Sequence, residues 1–107
     1  MRLTIIPSDK KVGVNEFFFD DLNLSTCAIP TNIHALQWYE TEGEVEFINN
    51  PDRTKPQNEI ISELPAWANA CVTVWNITKA EQEAAILAAQ EAAILAAQEA
   101  AAQTTQS

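Results

Sequence analysis

Residues that usually carry chemistry are scarce in this 107-residue chain, which has one histidine, two cysteines, two glycines and six lysines and arginines together. One histidine and two cysteines fall short of the four-ligand cages that hold structural zinc. Two glycines, Gly13 and Gly43, cannot build a Gly-rich phosphate cradle. Fifteen acidic residues against six basic ones give a formal net charge of −9. Nothing in that balance offsets phosphate repulsion, which argues against nucleic acid and against an anionic membrane surface as partners. Long apolar runs are also missing. The opening MRLTIIPSD has no apolar core of the roughly 7–15 residues that a secretory signal needs. No stretch reaches the roughly 20 apolar residues of a membrane span. The expectation is a chain that folds in a reducing cytosol, with Cys27 and Cys71 as free thiols rather than a disulfide. The glycosylation-type triplets at Asn23 and Asn76 carry no meaning there.

The composition changes near Glu63. Both glycines, every phenylalanine and four of the five prolines come before it, and residues 66–107 hold neither Gly nor Pro. This predicts an antiparallel β module over residues 1–63, then one long C-terminal helix. Residues 64–79 of that helix cover the core, and residues 80–107 form an Ala/Glu-rich tail. The expected strands are residues 3–6, 11–14, 16–19, 33–39 and 44–48, a sheet of about four to five strands. Asn15 suits the positive φ of a hairpin turn, although Glu16 stands where Gly is usual. Thr41, Glu42 and Gly43 are read as a second turn, and residues 49–58 as an exposed loop. Val45 and Phe47 alternate with Glu44 and Glu46, the pattern of a sheet packed on one side and wet on the other. Pro65 suits a first helical turn. Counting 100° per residue, Trp67, Ala70, Cys71, Val74 and Thr78 form one stripe, with Trp75 and Ile77 on its shoulders. A single helix covering a small sheet is an α+β arrangement.

Residues 83–90 read EAAILAAQ, and residues 91–98 repeat it letter for letter. The segment is strongly helical by propensity. A continuous helix from residue 65 to 103 would be about 58 Å long at 1.5 Å per residue, so its far end is expected to project. Leu87 and Ile94 lie seven residues apart and fall within about 20° on the helix surface. They are the candidate partner-binding residues, as a seam for a second copy or another protein. The competing reading is a repeat-generated alanine spacer that tolerates them at its surface.

No catalytic, cofactor-binding or metal-binding residue is assigned, and no cofactor is called for. His34 shares strand parity with Leu36 and Trp38, which predicts a structural histidine at the end of the sheet. Ser25, Thr26 and Cys27 offer nucleophiles that no motif places. Glu40, Glu42, Glu44 and Glu46 read as a solvated face, broken by Gly43. Trp38, Trp67 and Trp75 are expected in the core. Enzyme activity is not expected.

The first eighty residues resemble a family of small proteins of tailed bacteriophages and prophages, associated with the tail and tail-fibre region. Arg2-Leu3-Thr4-Ile5-Ile6 with Ser8-Asp9, Val12-Gly13-Val14 and Leu22-Asn23-Leu24-Ser25 carry part of the likeness. Ile29-Pro30-Thr31-Asn32-Ile33-His34-Ala35-Leu36-Gln37-Trp38 followed by Gly43-Glu44-Val45-Glu46-Phe47 is its most specific part. Lys55-Pro56-Gln57-Asn58-Glu59-Ile60-Ile61 and Leu64-Pro65-Ala66-Trp67 complete it. The first hairpin departs from the family's pattern, with Asn15-Glu16 in place of Asp-Gly, and the octad tail lies outside the likeness. The resemblance implies a non-enzymatic role on a tail or tail-fibre protein, as a virion component or an assembly chaperone. It implies location in the host cytoplasm during assembly, with the virion tail as an alternative, and it transfers no site residues. A homo-oligomer through the C-terminal helix is a further expectation. The rival readings are a capsid decoration protein and an acidic DNA mimic or host-enzyme inhibitor.

Overall fold

Strands β1 (Arg2–Ile6) and β2 (Lys11–Val14) form where β-branched and leucine residues alternate with polar ones, and each buries one side. The computed structural model describes residues 1–106, and the side-chain surroundings of residues 1–99. The next strands are β3 (Phe17–Phe19), β4 (Ile33–Tyr39), β5 (Glu42–Phe47) and β6 (Glu59–Ile61). They make one antiparallel sheet in the order β3-β2-β1-β4-β5-β6. Two three-stranded meanders therefore meet along the β1–β4 pair. The helix α1 runs Ala66–Gln106. Together these elements are α+β.

The chain divides into two units, Met1–Asn76 and Ile77–Ser107. In the first unit, one face of the sheet is the core face. Leu3, Ile5, Val12, Val14, Leu36, Trp38 and Val45 are buried there, with Leu22 and Cys27 coming in from the β3–β4 connection. Each fully buried Leu or Ile contributes roughly 1.5–3 kcal/mol. The helix presents Ala68, Cys71 and Trp75 to this cluster, at spacings of three and four residues.

That stripe is rotated from the predicted one. Trp67, Ala70 and Val74 flank it, Trp75 sits at its centre instead of its shoulder, and Ile77 is exposed. The rotation follows from Trp75's partners at the sheet edge. Its indole Nε1 donates a hydrogen bond of 2.9 Å to the Phe17 carbonyl. Its ring lies 6.0 Å from Phe17 and 5.8 Å from Phe19, in the edge and tilted arrangements that aromatic pairs favour.

Three strand expectations also change. The sheet has six strands, because residues 59–61 add a strand beside β5 that is too short to read as one by alternation. Gly43 belongs to β5 and not to a turn. A Cβ there would stand 2.7 Å from the Trp38 ring, so the bare backbone is what lets Trp38 lie across it. The turn is instead Glu40-Thr41, with Glu40 at φ 55°. Finally, a register shift between Ile33 and Ala35 breaks the strand's parity. Ile33 enters the core and His34 is exposed, which corrects the shared parity with Leu36 and Trp38 expected for that histidine.

The β2–β3 hairpin turns through Asn15 (φ 50°) and Glu16 (φ 71°), both left-handed, as a two-residue primed turn requires. Asn15 tolerates this and accepts a hydrogen bond from the Arg2 backbone N–H at 3.0 Å. Glu16 does not favour it and is held by an exposed ion pair with Arg2 at 3.0 Å. A left-handed non-glycine residue costs about 1–2 kcal/mol, and an exposed ion pair returns at most about 1 kcal/mol. Glu16→Gly is therefore expected to raise stability by about 0.5 kcal/mol, read as a higher urea midpoint. A lower midpoint would mean that the Arg2 pair outweighs the backbone strain.

Candidate interaction surfaces

Leu87 and Ile94 lie in the second unit, on the helix, and are 56% and 57% exposed. Ile86 and Leu95 are equally exposed and lie about 180° apart on the helix surface. Large apolar residues are thus spread around this segment, and no single continuous seam forms. A Lys79–Glu83 pair at 3.2 Å links adjacent turns there.

Within the first unit, the face of the sheet opposite the core carries a second set of residues. The strand register aligns Phe18, Gly13, Thr4, Gln37, Glu44 and Ile60 in one row across all six strands. The neighbouring rows hold Lys11, Ile6, Ala35 and Glu46 on one side, and Arg2, Tyr39 and Glu42 on the other. Phe18 is 49% exposed and Ile60 61%. The Phe18 ring lies over Gly13, 2.3 Å from where a Cβ would be. The Arg2 guanidinium sits 5.2 Å from the Tyr39 ring centre, and Gln37 Oε1 accepts hydrogen bonds from the Thr4 and Tyr39 hydroxyls. The sequence signalled half of this face, through the alternation in β5. Phe18 was hidden inside a run of three phenylalanines, and Ile60 inside an unrecognised strand.

The two core thiols are neighbours, and among the described residues no three His, Cys, Asp or Glu side chains stand together as a metal site. Asp52 is held below the ordinary carboxylate range by the Thr54 hydroxyl first and then its backbone N–H, an exposed turn contact. A depression of about 360 Å³ beside that loop is lined by Asn32, Phe47, Ile48, Asn49, Pro51 and Pro56, among others, and gathers no charged group. Cys27 and Cys71 are free thiols in the core. Burial, and then the neighbouring Cys27, push the Cys71 thiol up to about 12. Among the described residues, no helix is long and apolar enough to cross a membrane. Compared with known proteins, the chain matches no family model, no curated protein and no solved structure.

The Cys71 shift sets a direction for alkaline stability. Below pH 9 the thiol is protonated in both states and adds no pH dependence. Above it, the unfolded thiol, with its ordinary value of 9.0, ionises while the buried one stays neutral, so stability falls as pH rises towards about 12. The expected loss by pH 10 is on the order of 1 kcal/mol. Cys71→Ala should be less stable at pH 7 but lack this slope, as urea midpoints at pH 8 and 10 will show. Equal slopes in both proteins would assign the alkaline loss to other groups.

Proposed function

We propose that the chain is a non-enzymatic protein of a tailed bacteriophage that binds a tail or tail-fibre component, as a virion adaptor or an assembly chaperone. The observation that carries this reading is the Ile29–Trp38 run followed by Gly43–Phe47, the most specific part of the family resemblance. These residues are not a loop motif that could be grafted onto any fold. Ile33–Trp38 and Gly43–Phe47 lie in the paired strands β4 and β5, and Ile29–Asn32 lead into β4, so the quoted residues include core positions as well as surface ones.

Two surfaces support a binding role over a chemical one. The helix of the second unit exposes Leu87 and Ile94, and helix-in-groove docking uses such spaced apolar anchors. The first unit leaves Phe18, Tyr39 and Ile60 on the wet side of its sheet. The host cytoplasm during assembly is the location that fits this reading, with the virion tail as the second.

Mass spectrometry of purified virions beside infected-cell lysate tests the proposal. The chain is expected in stoichiometric amount on the particle, or in lysate bound to a tail or fibre protein. Recovery only with a host enzyme or with capsid protein would overturn it. Replacing both Leu87 and Ile94 by Glu should cut partner recovery by about tenfold if they act as anchors. Unchanged recovery would remove the helix as the binding surface.

A further inference from the structure

We propose that the open face of the sheet is a self-complementary surface that pairs with the same face of a second copy. This rests on the strand register and is independent of the proposed phage role. A two-fold axis between β1 and β4, running along the strands, exchanges β1 with β4, β2 with β5 and β3 with β6. Each residue then faces its row-mate across the axis. Lys11 meets Glu46 of the second copy, Arg2 meets Tyr39, Thr4 meets Gln37, and Phe18 meets Ile60. These four partnerships are chemically matched, as an ion pair, a cation over an aromatic ring, a polar pair and an apolar pair, while Gly13 opposite Glu44 contributes no matched contact.

The details of the face agree with this occupant. Gly13, Thr4 and Ala35 are small residues of the face, with the Phe18 ring lying over Gly13 and Ile60 exposed on the opposite edge strand. A depression of about 290 Å³, lined by Arg2, Thr4, Gly13, Glu16 and Phe18, lies on the β1–β2–β3 half of the face, which the β4–β5–β6 half of the second copy covers. Glu46 has no ion-pair partner among the described residues, and Lys11 holds only a surface contact to Asp20 at 3.4 Å. Within one chain, Lys11 and Glu46 lie three strands apart, about 14 Å, too far to pair. Two sheets stacked in this way adopt the aligned packing of a β-sandwich, about 10 Å apart.

The strength of the contact is bounded by its size. Six strands at about 4.8 Å spacing and five residues of length give about 500 Å² of flat face per copy. That places the total near the lower limit of about 1,000 Å² for a specific interface. The net charge of −9 per chain opposes association further. A weak, reversible dimer is therefore the expected state.

Sedimentation equilibrium of the full chain across a concentration series, with Lys11→Glu, Glu46→Lys and the double variant, tests the pairing. The wild type should self-associate, and each single change should weaken association by about tenfold or more, by placing like charges opposite each other. The double variant should restore it, because the swapped charges again face opposite partners. Circular dichroism melts check that the variants remain folded, and Phe18→Ser with Ile60→Ser provides a charge-neutral second probe. A single-chain mass throughout would overturn the proposal. So would self-association that none of these changes affects, which would place the contact elsewhere.

Discussion

The first unit depends on one constraint: a six-stranded sheet has two faces, and this unit brings a single apolar layer to cover one of them. Ala68, Cys71 and Trp75 from the helix supply that layer together with Leu22 and Cys27 from the β3–β4 connection. Ala68 permits close approach, Cys71 fills the centre and Trp75 reaches the β3 edge. There its ring packs edge-on and tilted against Phe17 and Phe19 while its N–H donates to a strand carbonyl. Strand β3 has only β2 as a strand neighbour, so this contact also covers part of an edge that would otherwise invite pairing.

The other consequences follow from which face is taken. Burying Leu3, Ile5, Leu36 and Val45 fixes the register, because a slip of one residue would turn all of them to water. The same register then dictates what the wet face displays. Its mixture of carboxylates, two cations and three exposed apolar residues is the complement of the core pattern. Function is therefore sought on surfaces, where the chain puts its exposed Phe, Tyr, Ile and Leu residues. The buried thiol pair belongs to the packing layer, with the Cys71 proton held by its lack of water.

Much of the architecture was legible because it rests on local signals. The alternation of Val45 and Phe47 with glutamates gave β5 and its wet side, and the loss of Gly and Pro after Pro65 gave the helix. What was not legible came from contacts distant in sequence. The helix stripe is set by Trp75 meeting Phe17, 58 residues earlier, which helical periodicity alone does not reveal. Gly43 looked like a turn residue because its role is to make room for the Trp38 ring. His34 was misplaced by a single bulge, which reverses parity without leaving a mark in composition. Residues 59–61 form a strand only because β5 is there to pair with them. Of the candidate surfaces, Leu87 and Ile94 followed from spacing, whereas the Phe18-to-Ile60 row needed the full strand order.

The most direct test of this account is nuclear magnetic resonance of the three tryptophan indole protons. Seating Trp75 on the sheet edge predicts a slowly exchanging Trp75 Nε1–H, with through-space contacts to the Phe17 and Phe19 rings. A rapidly exchanging Trp75 proton without those contacts would contradict the account, because the helix would then lie on the sheet by some other face.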